Sequence, residues 1–280
     1  MQKKPLTDLR PSPIAGSWYS GDPAELDLDI HTYLDEAALP NITGEVVSLI
    51  VPHAGHIYSG LTAAHAFKAI QGKHFHRVVI VAPSHHSNRA RFLTTGHEAY
   101  WTPLGEIPVD REALANLEVE FEQVRNDREH SLEIELPFLQ VVLPEGFHLV
   151  PIVVLDQSPD AMNELGQALA KWISNLPGGQ KTLLVASSDL SHFHHEKIAN
   201  LLDKQIVEAL MEMSASKLYQ AARQGTGEAC GLGPMAAILI ASKELGAECV
   251  TIADYRTSAA VNHDASSVVG YVSAILTKSV

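Results

Sequence analysis

VVIVAPSHH, residues 78–86, is an apolar run of strand length that stops at a proline and releases two histidines. Five of its first six residues are β-branched or small and apolar, and none is polar. A strand buried on both faces of a parallel sheet reads this way. Pro83 cannot donate to a ladder, which predicts the strand's end there. His85 and His86 then fall just beyond a strand's carboxyl end, where open α/β sheets place their ligand crevices. Two other stretches repeat the pattern. VVSLIVPH (46–53) is an apolar run ending Pro-His, and TLLVASSDLSH (182–192) is an apolar run whose polar turn carries Asp189 and His192. Three strand-like runs thus deliver histidines to what reads as one edge of one sheet.

The rest of the chain supplies helices for that sheet. Asp22 is placed to cap a helix over 23–39, with Pro23 at its first position and Leu26, Ile30, Tyr33, Leu34 and Ala37 on one stripe. A helix over about 60–70, with Ser59 as its cap, joins the strands at 46–51 and 77–82, so the two are expected to be parallel neighbours. Residues 88–110 read as short extra strands or an excursion, followed by a helix at 111–118. Pro137 predicts a kinked helix or two short ones within 127–144. A second alternation follows: strand 148–155, helix 160–174, strand 181–187, then helices at 195–212 and 214–223. GTGEACGLG (225–233) opens a further helix to about 245, and strands at 248–254 and 267–276 close the chain. Residues 1–13, polar and broken by prolines, read as an N-terminal tail laid over the surface. Residues 14–280 then form a single three-layer α/β domain, a mixed, mostly parallel sheet flanked by helices.

Composition narrows the functions. The chain has 280 residues and a formal charge of −13, with no cluster of Lys and Arg, which argues against nucleic acid as a partner. No apolar run approaches the ~20 residues that span a bilayer, so no membrane association is expected. MQKKPLTDLRPSP lacks the apolar stretch of a signal peptide, and two cysteines are too few for a disulfide scaffold. A cytoplasmic location is the expectation.

Among the 15 histidines, position does the sorting. His53 follows Pro52 at a strand end, as His85 follows Pro83 and Ser84; each reads as a metal ligand or as a hydrogen-bonded turn residue. Neighbouring side chains diverge, so one of His85 and His86 is a ligand and the other a supporting or substrate-contacting group. Asp189 and His192, three apart, can share a pocket, the carboxylate orienting the imidazole or taking a proton itself. Cys230 lies at the start of a helix, where the dipole and free amides favour thiolate. Thiolate suits iron, copper or zinc. Cys249 reads as strand packing, and His194 and His195 as surface. Glu129 and Glu133, near His130, read as helix-capping residues that could alternatively reach the cleft.

Six motifs occur in order: AGSWYSGD (15–22), VPHAGHIYSG (51–60), APSHH (82–86), EHSLEIELPF (129–138), SSDLSH (187–192) and ACGLGP (229–234). Together they are similar to those of the Memo family, also called AmmeMemoRadiSam system protein B, which resembles the class III extradiol dioxygenases in fold. The resemblance implies His53, His85 and Cys230 as metal ligands, with Asp189 and His192 beside them in the cleft. It departs from the dioxygenases where Cys230 replaces a carboxylate on iron, so their activity does not carry over. It also implies radical-SAM and Ammecr-type proteins as partners. Three functions follow as expectations. One is a redox enzyme on a small molecule or peptide, with Fe(II) favoured over Cu or Zn, His192 moving protons and Asp189 orienting it. The second is a zinc hydrolase, and the third a non-catalytic metal-handling or peptide-binding protein.

Overall fold

The computed structural model describes residues 6–39, 41–86, 88–143 and 146–279. Strand β1 (Leu9–Arg10) precedes helix α1 (Pro23–Glu36), which starts where Asp22 accepts the backbone N–H groups of Ala24 and Glu25. Then come β2 (Glu45–Val51), α2 (His56–Phe67) and β3 (Arg77–Pro83). The excursion contains β4 (Phe92–Thr95), β5 (Ala99–Thr102), β6 (Gly105–Pro108), α3 (Arg111–Asn116) and β7 (Glu122–Val124). A 3₁₀ turn at Glu133–Glu135 runs into α4 (Leu136–Val142), with Pro137 in the first turn, so the expected break yields two short pieces. Next are β8 (His148–Val154), α5 (Pro159–Ser174), β9 (Thr182–Ser187) and β10 (His192–His194). The chain ends with α6 (Glu196–Met211), α7 (Ala215–Gln224), α8 (Leu232–Glu244), β11 (Cys249–Thr257), α9 (Ala259–Asn262) and β12 (Val268–Lys278).

At the centre of the main sheet β2, β9, β3 and β8 lie side by side and parallel. Antiparallel pairings flank them, β12 against β2 on one side and β4 against β8 on the other, which makes the sheet mixed. The apolar runs of β2, β3, β8 and β9 are buried almost throughout, because helices cover both faces. Those helices form two sets, α1 with α2 and α4, and α5 with α6, α7 and α8. No helix among the described residues is long and apolar enough to cross a membrane.

Three expectations are corrected. β2 and β3 are parallel but not adjacent: β9 inserts between them. Helix α2 begins at His56, not near residue 60, with Gly55 as its cap; the His56 N–H goes to the Trp18 carbonyl at 2.8 Å, and Ser59 lies within the helix. The described part of the N-terminal segment does more than lie over the surface. Leu9 and Arg10 pair with β5 in a second, three-stranded sheet, and Arg10, 2% exposed, is ion-paired to Glu133 and Asp127. A guanidinium so placed is tolerated because acceptors meet it on several sides.

Candidate metal centre

The order β2–β9–β3 sets the site. Three neighbouring parallel strands end at one edge and release His53, Asp189 and His85 in turn. Cys230 arrives from the loop before α8, which approaches β9 closely. A Cβ on Gly231 would lie 2.4 Å from the Ser187 carbonyl oxygen, so glycine is required there. Gln157 clamps the loop, donating to the Cys230 carbonyl at 2.9 Å and accepting the Gly233 N–H at 2.7 Å.

The ligand atoms offered by His53, His85 and Cys230 all lie within 4.8 Å of one another. His53 is 2% exposed. Ser187 donates its hydroxyl to the Ser131 carbonyl at 2.6 Å, so it accepts the Nδ1–H of His53 at 2.8 Å. That fixes the tautomer and leaves the Nε2 lone pair 3.1 Å from Cys230 Sγ. His85 is oriented in the same sense, since its Nδ1–H donates to Glu129 Oε1 at 2.9 Å and its backbone N–H to Oε2 at 2.5 Å. Both imidazoles therefore direct free Nε2 atoms inward, as metal-bound histidines do when a second group takes the other nitrogen.

Electrostatics fit the same role. Burial, reinforced by His130 and His85, holds His53 well below the ordinary imidazole range, so no proton competes for it near neutrality. The Glu129 hydrogen bond raises His85. Burial opposes ionisation of Glu129, but hydrogen bonds from the ring and backbone of His85 and from Ser131 N–H keep it well below the usual carboxylate range. Asp189 is pushed up to about 7 by burial, although its carboxylate accepts the backbone N–H of His53 at 2.8 Å.

The expectation of a thiolate at Cys230 is corrected for the metal-free chain. Burial, and then the negative Asp189, push the thiol up and outweigh the amides of Asp189 and Gly231. A cation among these donors would supply the missing charge and release that proton. Two imidazole nitrogens and a sulfur, oriented from behind and open on one side, fit a soft or borderline metal ion with exchangeable positions. A second group, His85, Glu129 and His130, is comparably close. It fits less well, because the Glu129 oxygens already accept the His85 ring and the N–H groups of His85, His130 and Ser131.

The open side faces a cavity of about 570 Å³ whose lining includes Trp18, His53, Tyr58, His85, His130, Asp189, His192 and Phe193. His192 reaches it as expected, but Asp189 does not hold it. Glu228 does, accepting the His192 backbone N–H at 3.0 Å and lying 3.9 Å from its Nδ1. Asp189 is committed to His53 instead. His86 is not brought into this cavity. It is exposed, sits in a turn closed by Ser84, and lines a separate cleft of about 250 Å³ beyond Glu129. Its exclusion follows from the divergence of adjacent side chains at the strand end. Cys249 is exposed at the start of β11 rather than packed.

His130 is the residue the sequence reading overlooked. Its ring stacks on His85 at 4.6 Å between centroids and meets Trp18 at 4.2 Å. Burial pushes its pKa to about 4. Glu129 fills both of the roles its position suggests, taking local amides as a cap does and holding His85 at the cleft with the same carboxylate. The available signal was an acid beside a histidine ahead of a helix, a pairing that capping alone explains equally well.

A Memo-like protein family model matches residues 10–275. A MEMO1 family protein of Nitrosopumilus maritimus (strain SCM1) is 35% identical over 273 residues, covering 94% of this chain and 98% of the relative. Another, from Methanosarcina barkeri (strain Fusaro / DSM 804), is 32% identical over 273 residues and covers 96% and 100%. Among solved structures, the uncharacterized protein JW3007 of Escherichia coli K12 superposes with a TM-score of 0.52 at 14% identity, over 82% of this chain and 99% of that one, a likeness of fold alone. The chain belongs to the Memo-like family.

Proposed function

We propose that this chain is a metal-dependent redox enzyme in which His53, His85 and Cys230 hold Fe(II), with copper or zinc as the competing occupants. The observation that carries the reading is the convergence of two oriented imidazoles and one sulfur within 4.8 Å, with both imidazoles lining a substrate-sized cavity. Three protein ligands leave coordination positions open, and the resident ion would supply exchangeable sites and one-electron chemistry there.

The protein's own groups supply the proton chemistry. His130 and His192 line the cavity, and burial lowers both, so each is a neutral base near pH 7. Asp189, at about 7, can hold or release a proton at the same wall while fixing the His53 backbone. Trp18 and Tyr58 partly shield the opening from water.

Anaerobic titration with Fe(II), Cu(I), Cu(II) and Zn(II), followed by optical and paramagnetic spectroscopy, tests the reading. We expect one ion per chain and oxygen consumption by the iron or copper form but not the zinc form. Ester or amide hydrolysis by the zinc form, indifferent to oxygen, would replace this proposal with a hydrolase. Failure to hold any of these ions stoichiometrically would end it.

A further inference from the structure

At the cavity mouth one residue is doubly unfavourable. Phe193 has a left-handed backbone, φ +63°, and its side chain is 75% exposed. Neither condition suits a phenylalanine, and such strain persists only where its surroundings impose it. Here the cause is visible. His192 and His194 both pair with β12, with a register shift between them. Both also engage one carboxylate: Glu228 accepts the His192 backbone N–H at 3.0 Å and the His194 Nε2–H at 2.9 Å. The residue between these two anchors is thrown outward over the cavity, and Glu228 lies two residues before Cys230.

We propose that Phe193 is the specificity-determining wall of this cavity, and that the wall receives a flat, apolar, uncharged body rather than a phosphate or carboxylate. The proposal rests on reading the cavity as the reaction site and adds the class of molecule it admits. Ile57, Tyr58 and Trp18, each with exposed apolar surface, line the same space. Among the described lining residues there is no Lys or Arg, and the one carboxylate is Asp189. Apart from a metal at its ligands and from His85, which is already paired with Glu129, an anion would meet no counter-charge from these walls, against a chain whose formal charge is −13. Apolar surface gains by being covered, whereas a carboxylate stripped of water gains nothing here.

The test is calorimetric titration of the full chain with 1-naphthaleneacetamide and 1-naphthaleneacetate, the same ring without and with a charge. It is run on metal-free protein so that a carboxylate has no metal to bind. We expect the amide to bind about tenfold more tightly than the acetate, and Phe193→Ala to weaken the amide by about tenfold while Phe193→Leu costs less than about threefold. Phe193→Gly is expected to melt at the wild-type temperature or above, since glycine accepts this backbone without strain. Equal binding of both compounds, preference for the acetate, or an unchanged amide affinity in Phe193→Ala would overturn the proposal. A lowered melting temperature in Phe193→Gly would also overturn it, by showing a structural role. Metal content, measured separately, tells the two readings apart: ring selectivity in a chain that binds no metal supports the wall and refutes the redox proposal.

Discussion

Histidines meet at both ends of the central parallel strands, and only one of the two meetings offers a set of metal-ligand atoms. Before β3, at the opposite end from the cavity, the rings of His74 and His76 lie 4.5 Å apart between centroids, closer than the 5.2 Å between His53 and His85. Proximity is therefore not the deciding quantity. His76 Nδ1 accepts the Lys181 backbone N–H at 3.1 Å, so in the neutral ring the proton sits on Nε2, the atom facing His74 at 3.5 Å. At the cavity the partners are reversed in sense. Ser187 and Glu129 accept Nδ1–H, and the Nε2 lone pairs are left to converge beside a sulfur. What stands behind each ring decides whether it can bind a metal.

That contrast is easiest to break at its centre. His53→Ala or Cys230→Ser should lower metal affinity at least about 100-fold, read by anaerobic competition with a chelator, because two donors seldom hold what three hold. Retention of wild-type affinity in either variant would place the ion elsewhere. Glu129→Gln should have the next largest effect, weakening binding by roughly 10–100-fold at pH 8 through loss of the carboxylate behind His85. Its pH dependence sharpens the point. A raised His85 pKa means that, as pH falls, a proton occupies Nε2 and competes with the metal. The glutamine removes that elevation, so the acid limb of metal binding should move to lower pH even as the plateau weakens. An acid limb that stays in place would show that His85 does not set it.

A smaller effect concerns the group behind Ser187. Glu135 is fully buried, has a carboxyl oxygen 3.0 Å from Ser187 Oγ, and is raised well above the ordinary carboxylate range by burial. The folded chain thus holds a proton that the unfolded chain releases above about pH 4.3. Stability falls as pH rises from there toward the folded-state value. Glu135→Gln should make that slope shallower and add on the order of 1 kcal/mol near pH 8, measured by denaturant unfolding at pH 5 and pH 8. An unchanged slope would mean that the carboxyl ionises freely in the fold. The smallest expected effect is at the other end of the strands. His76→Ala should leave metal stoichiometry and affinity within about twofold of wild type, since its Nε2 offers no lone pair. Loss of a bound ion would contradict the tautomer argument.

Much of this was legible in the residues alone. The unbroken apolar runs of β2, β3 and β9, each ending in a polar turn, identify strands buried on both faces and locate His53, His85 and Asp189 at one edge. Sequence distance conceals which strands are neighbours. That β9 enters between β2 and β3 depends on long-range pairing, and it gives Asp189 to His53 rather than to His192. The charge state of Cys230 is likewise hidden, because the sequence displays the helix start but not the burial or the nearby Asp189. The roles of Glu129, His130 and Glu228 arise from contacts across the fold; locally, Glu129 beside His130 reads equally as a helix cap, and Glu228 carries no distinguishing pattern. Arg10 is the same case, since a short strand in a proline-broken segment gives little hint of a buried guanidinium. The left-handed backbone of Phe193 was hidden for a further reason, since it is imposed by Glu228 from a distant loop.

X-ray absorption at the metal edge, on protein loaded anaerobically with one equivalent of Fe(II) or Zn(II), tests the central claim most directly. The account predicts one sulfur at roughly 2.3 Å and two imidazole nitrogens near about 2.0–2.1 Å, with the sulfur shell lost in Cys230→Ser. A first shell of oxygen and nitrogen only, identical in wild type and Cys230→Ser, would contradict it.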